Sequence, residues 1–295
     1  MSLRRHLLNL CLRLTEKRYL ARVQDPVEVR DSFERKARLL FRAPRGTQSE
    51  RVNLNGVSAL RIKGDGPGAI LHFHGGAYVF GSARTHRGML GRLSQLTGLP
   101  VYLPNYRLAP EYPFPAAVQD ALTTYRALCD QVQGPIILGG DSAGGGLALS
   151  LLSQINAAGM RQPALTYALS PFTDMTFAGA SIRRNARADV MLPVSRLEEL
   201  RDMYLQGAAP HDPHASPLFA DFSGVGPVLL AVSDTEILED DTLRLQERLI
   251  AQGAAVDLIH GHDLPHVWPF FWRFAPEADR DLRRIAAAIA RQVAR

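Results

Sequence analysis

Ser142 stands in the run Gly140-Asp141-Ser142-Ala143-Gly144, between a branched apolar stretch, Ile136-Ile137-Leu138, and a leucine-rich one, Leu147 to Leu152. That order predicts strand, sharp turn and helix, the setting in which G-x-S-x-G lifts a serine hydroxyl above a sheet as a nucleophile. Small residues two positions either side of the serine are required because strand and helix pass closely at so tight a turn. A hydroxyl attacks well only beside a base, and the base needs an acid to orient it. Backbone N–H groups must also point where negative charge develops on the reacting carbonyl oxygen.

The chain offers residues for each of these roles. His72-Phe73-His74-Gly75-Gly76-Ala77-Tyr78 ends a strand predicted over 69–74 and opens a loop. Gly75 and Gly76 let the backbone turn its N–H groups inward with no side chain in the way. The N–H of Ala143, next to Ser142, is a further expected donor, and the order of the triad along such a chain is Ser, acid, His. Position and order select His266, in Asp263-Leu264-Pro265-His266-Val267-Trp268, between the last predicted strand and the terminal helix. The loop after a strand at Val228 to Val232 carries Asp234, Glu236, Glu239, Asp240 and Asp241, and spacing alone does not choose among these acids. His72 and His74 share one strand face as metal ligands would, but no third ligand accompanies them, so no metal is expected, and a serine, a base and an acid need no organic cofactor.

The elements that must position these groups follow from periodicity. Residues 1 to about 45 read as two helices: Leu3, Leu7, Leu10 and Leu14 recur at helical spacing, and Phe33, Ala37 and Leu40 repeat it after Pro26. This pair is expected to pack on the enzyme body as a flap. Asn55-Gly56 between alternating apolar residues signals a hairpin. Strands at 69–74, 101–105, 136–138, 165–170, 228–232 and 256–259 alternate with helical patterns near 87–97, 116–131, 240–252 and 277–294. That alternation means βαβ units and a mostly parallel sheet with helices on both faces, the hairpin forming an antiparallel edge. The segment 177–205 interrupts it, with Arg183, Arg184 and Arg187 followed by a helix from Ser195, and is expected to join residues 1–45 in a helical cap over a catalytic domain of residues 46–295.

Composition narrows the class. With 46% hydrophobic and 21% charged residues among 295, the chain suits one ordinary globule with a sizeable core. The net charge is +5, yet there are only three lysines and no basic block interleaved with aromatics, so nucleic acid is not an expected partner. Cys11 and Cys129 form no close-spaced motif, which argues against a disulfide framework or zinc site and for a reducing compartment. The opening MSLRRHLLNLCLRL imitates a signal peptide, but Arg13 interrupts it and no small-residue cleavage site follows; with no stretch able to span a bilayer, the expected location is cytoplasmic.

With these residues assembled, the chain resembles the hormone-sensitive-lipase group (bacterial family IV) of α/β-hydrolase carboxylesterases. The matching motifs are HGGAY at 74–78, YRLAPE at 106–111, FPAA at 114–117, GDSAGG at 140–145 and LPHVW at 264–268. The resemblance implies the α/β-hydrolase fold and a serine carboxylesterase, with Ser142 as nucleophile and His266 as general base and acid. The group's Asp-Pro-Leu-x-Asp pattern falls on Glu236-Ile237-Leu238-Glu239-Asp240, so Glu236 stands where an Asp usually orients the histidine. Asp240 then has a helix-capping role, and Asp234 is the runner-up acid. The resemblance builds the oxyanion hole from the N–H groups of Gly76, Ala77 and Ala143. Ala77 replaces a glycine there, and its Cβ disfavours positive φ. A homodimer through an exposed sheet edge near Val256 to Ile259 is also implied. The substrate expected is a small ester of short-to-medium acyl length, since the Arg-rich cap and the lack of a long apolar groove signal favour small molecules. The alternatives are a non-catalytic small-molecule binder, as among plant hormone receptors of this fold, and acyl transfer or amide cleavage through the same triad.

Overall fold

The computed structural model describes residues 2–294. Its strands are β1 (Ser49–Leu54), β2 (Val57–Ile62), β3 (Ala69–Phe73), β4 (Val101–Pro104), β5 (Ile136–Asp141), β6 (Leu165–Leu169), β7 (Val228–Ser233) and β8 (Val256–Gly261). They form one sheet in the order β1-β2-β4-β3-β5-β6-β7-β8. From β4 to β8 every neighbouring pair is parallel, while β1 and β2 form the antiparallel hairpin at one edge. Asn55 and Gly56 both take positive φ in that hairpin, 51° and 99°, the geometry a two-residue turn needs to match strand twist.

Successive side chains of a strand point to opposite faces, and here both faces are covered. On β3, Ala69, Leu71 and Phe73 enter one core while Ile70 enters the other; on β5, Ile136 and Leu138 divide from Ile137 in the same way. The first core is completed by α5 (Ala116–Gln131), α6 (Ala143–Ala157) and α9 (Glu239–Ala251), the second by α4 (Ala83–Thr97) and α10 (Pro276–Val293). This is why the inner strands read as continuous apolar runs rather than as an alternation.

Helix α4 begins at Ala83, four residues before the stretch expected from periodicity. Its start is set by Ser82 and Thr85, each side chain meeting the other's backbone N–H, a capping box with Thr in place of the more familiar Glu. Residues 2–45 form three helices rather than two: α1 (Leu3–Leu14), α2 (Glu16–Leu20) and α3 (Pro26–Leu40). Pro26 opens α3 instead of merely ending what precedes it, with Asp25 accepting from the Val27 N–H as its cap. The leucine stripe of α1 is not its buried face. Arg5, Asn9 and Leu12 face the body, while Leu3, Leu7, Leu10 and Leu14 face outward. The inward polar residues bond the loop that leads to His266: the Arg5 guanidinium donates to the His262 carbonyl at 3.0 Å and pairs with Asp263, and Asn9 donates to the Asp263 carbonyl at 3.0 Å. Between β6 and β7, α7 (Ser181–Arg184) and α8 (Leu197–Leu205) make up the interrupting segment.

One glycine under the site is required by packing rather than by backbone angle. A Cβ on Gly139 would lie 2.2 Å from the Tyr167 ring. Gly139→Ala is expected to destabilise the fold by about 1–3 kcal/mol through overpacking. Urea unfolding should show a lower midpoint with an unchanged slope.

Candidate active site

The turn from β5 into α6 places Ser142 at φ 54° and ψ −123°, a conformation that a side chain rarely adopts. Surrounding contacts over-determine it. The Ser142 N–H donates to the Leu169 carbonyl at 2.8 Å, and its own carbonyl accepts from Phe172 and Gly146, each at 3.0 Å. Any Cβ at Gly140 would meet the Gly144 carbonyl at 2.0 Å, and one at Gly144 would meet the Phe73 carbonyl at 2.1 Å. Both glycines of the motif therefore exist to let β5, α6 and the end of β3 approach one another.

His266 and Glu236 converge on that serine from the loops after β8 and β7. His266 Nε2 lies 2.9 Å from Ser142 Oγ, and His266 Nδ1 lies 2.6 Å from Glu236 Oε2. A carboxylate can only accept, so Nδ1 carries the proton toward Glu236 and Nε2 is left to accept from the serine hydroxyl. Glu236 Oε1 accepts from the Ser233 N–H at 2.8 Å and from Ser170 Oγ at 2.9 Å. Ser170 Oγ in turn accepts from the Val267 N–H at 3.0 Å, so one hydroxyl ties the acid to the residue after the histidine. The role of Ser170 carries no sequence signal, because serine at a strand end is common.

Both members of the pair are buried. Burial disfavours the imidazolium, but the hydrogen bond and charge of Glu236 outweigh it and His266 titrates above its ordinary value. Burial raises the Glu236 carboxyl, and the bond from His266 offsets this only in part.

The other acids in this loop are engaged elsewhere. Asp234 is half-buried and pairs with His262, and it accepts from the Asp263 N–H at 2.8 Å. Glu239 meets His260 and Arg184. Asp240 does not cap its own helix: it accepts from the Ser181 N–H at 3.0 Å and pairs with Arg184, because its side chain turns back toward α7. Asp241 is buried and accepts from the Thr173 and Asp174 N–H groups at 2.8 and 3.0 Å. Only Glu236 reaches the histidine. Its loop is also held by the interrupting segment, where Asn185 donates to the carbonyls of Asp234 and Glu236 and Asp189 accepts from the Ile237 N–H.

The glycine loop differs from the sequence expectation at Gly75. Its N–H donates to Asp141 Oδ2 at 3.1 Å and so is taken. Among the described residues, the N–H groups of Gly76, Ala77 and Ala143 make no protein hydrogen bond. Ala77 adopts the positive φ that its Cβ disfavours, 53°, and Tyr78 follows at 62°. Tyr106 braces the loop, stacking on His74 at 4.3 Å and donating its hydroxyl to the His74 carbonyl at 2.6 Å.

Asp141, the residue just before the serine in its motif, is the hub of this loop. Besides Gly75, its buried carboxylate accepts from His72 Nε2 at 2.9 Å and His86 Nε2 at 3.2 Å. Burial alone would raise its pKa, but the two histidines hold it well below the ordinary carboxylate range. Burial likewise lowers His72, which with its proton on Nε2 accepts from the Tyr167 hydroxyl at Nδ1, 2.7 Å away. His74 is lowered by burial to about 3 and is neutral. His72 and His74 thus serve the backbone of this loop, one through Asp141 and one through Tyr106.

Ser142 and His266 open into a cavity of about 1160 Å³. Its lining is largely apolar and comes from α1, α2 and α3, from residues 191–203, and from Phe270, Phe271 and Phe274. Arg183, Arg184 and Arg187 do not line it. Of the Arg-rich cap expected from the sequence, Arg184 turns outward to Glu239 and Asp240, so these arginines leave the cavity lining largely apolar.

A parallel sheet with a serine on the turn after its central strand, and an acid and a histidine after its last two strands, defines the class as the α/β-hydrolase fold. Residues 70–270 match the family described as alpha/beta hydrolase fold, and the chain belongs to that family, in its bacterial hormone-sensitive-lipase group. It is 36% identical over 224 residues to the acetyl-hydrolase of Streptomyces hygroscopicus, covering 75% of each chain. With the esterase of Acinetobacter venetianus it shares 35% over 269 residues, 88% of each chain. The crystal structure of an esterase from the bacterial hormone-sensitive lipase family superposes with a TM-score of 0.94, at 36% identity over 99% of each chain.

The charge of Glu236 sets the titration of His266. NMR of the imidazole should place its pKa above the ordinary 6.5. In Glu236→Gln the carboxylate that favours the cation is gone, and the same signal should move to lower pH.

Proposed function

We propose that this protein is a serine carboxylesterase acting through an acyl-enzyme on Ser142. The observation that carries this reading is the single imidazole bridging Ser142 Oγ at 2.9 Å and Glu236 Oε2 at 2.6 Å. These distances fall within the reach a general base needs. The named esterases among its relatives support the same reaction class.

In this reading His266 Nε2 takes the hydroxyl proton as Ser142 Oγ bonds to the ester carbonyl carbon. The carbonyl oxygen becomes an oxyanion and accepts from the N–H groups of Gly76, Ala77 and Ala143, which cost no reorganisation at that moment. The imidazolium gives its proton to the departing alcohol oxygen as the C–O bond breaks. His266 then deprotonates a water, which attacks the acyl carbon and releases the acid and free Ser142. Glu236 holds the ring in its tautomer and stabilises its cation throughout. Residues 2–45 and 177–205 act as a cap over the site. The apolar cavity they enclose suits a short-to-medium acyl chain, with the small polar ester at its base.

Ser142→Ala should lower kcat on p-nitrophenyl butyrate by on the order of 10⁴–10⁶-fold, and Glu236→Gln by on the order of 10⁴-fold. Asp234→Asn should stay within about threefold of the wild type, since its carboxylate never reaches His266. Comparable losses in Asp234→Asn and Glu236→Gln would contradict the assignment of the acid.

Across p-nitrophenyl esters from acetate to palmitate, kcat/KM should peak between butyrate and octanoate. A maximum at palmitate would contradict the proposed acyl length.

A further inference from the structure

Helix α1 carries its apolar stripe on the outside. Leu3, Leu7, Leu10 and Leu14 are 75%, 58%, 54% and 46% exposed, whereas Arg5 and Asn9 are buried. Leu40 at the end of α3 is 51% exposed and Phe274 is 38% exposed, and with Leu7 they border the cavity that holds Ser142. The site therefore opens through an apolar rim.

Charge is concentrated on the same segment. Residues 1–45 contain twelve Lys and Arg against five Asp and Glu, a net charge of +7, whereas the whole chain carries +5. The remaining residues are thus slightly acidic. Arg4, Arg18, Arg22, Arg35, Arg38 and Arg42 are exposed and make no ion pair among the described residues. Exposed leucines on a helix whose inward face is clamped to the protein, with unpaired arginines on the same three-helix segment, have the make-up of an interfacial surface.

We propose that this face docks on an anionic lipid surface, with α1 in the plane of the interface. Its leucines enter the acyl boundary, Arg4 and the arginines of the α2 and α3 region meet headgroup phosphates, and the cavity mouth opens onto the lipid. The contact is peripheral: among the described residues no helix is long and apolar enough to cross a membrane. A second copy of the chain fits this face poorly, because a two-fold pairing would set +7 against +7. The docking is independent of the reaction assigned to Ser142.

Flotation of the full chain with vesicles tests it, comparing phosphatidylcholine alone with phosphatidylcholine carrying about 30 mol % phosphatidylglycerol. The wild type should partition roughly tenfold more strongly onto the anionic vesicles, and high salt should remove that advantage. Leu3, Leu10 and Leu14 lie outside the cavity with Ser142. The triple variant Leu3→Ser/Leu10→Ser/Leu14→Ser should lose roughly tenfold in partitioning with a native thermal melt. Arg35→Glu/Arg38→Glu, on a different helix, should lose it comparably. Absence of flotation, equal flotation with both vesicles, or unchanged flotation in both variants would overturn the proposal. So would a dimeric mass in light scattering that the leucine variant abolishes, with no lipid binding in either protein.

Discussion

The approach of three backbones at the turn after β5 is the constraint on which the rest of this site depends. Gly140 and Gly144 leave no room for a Cβ because the Gly144 carbonyl and the Phe73 carbonyl occupy that space. Ser142 is held at φ 54° by hydrogen bonds to β6 and to Phe172. A strained residue persists only where its surroundings over-determine it. Here the strain lifts a hydroxyl above the sheet and puts the Ala143 N–H, the first of α6, beside it without a protein partner.

Asp141 extends that constraint to the neighbouring loop. A buried carboxylate is costly unless paired and hydrogen-bonded, and this one accepts from two imidazoles and the Gly75 N–H. Because Asp141 ends β5 and Gly75 follows β3, one ionised group locks the serine turn to the glycine loop. Tyr106 and His74 clamp the same loop from another side. Three N–H groups, of Gly76, Ala77 and Ala143, are thereby left aimed away from protein acceptors. Such donors are worth most when they are fixed before charge appears.

The segments over the cavity do more than cover it. Asn185 and Asp189 hold the loop that bears Glu236, and Arg5 and Asn9 of α1 hold the loop that leads to His266. The elements that shape the cavity and those that place Glu236 and His266 are joined by buried polar contacts. A change in one should be felt at the other.

Sequence alone determined the strand-turn-helix around Ser142, the alternation that makes a parallel sheet, and the order that selected His266. All of these are local patterns or follow chain order, and periodicity records them directly. The choice of Glu236 among five neighbouring acids needed resemblance, since residues two or three positions apart differ only in where the folded loop aims them. Tertiary structure decided that aim, and it decided that Asp141 takes the Gly75 N–H. It also decided that α1 buries Arg5 and Asn9 while showing its leucines. Helical spacing reveals which residues share a face but not which face meets the protein. That depends on whether a distant partner, here the Asp263 segment, can bond the polar groups that become buried. Long-range pairings of this kind, between residues some 250 apart in the chain, leave no mark on local sequence.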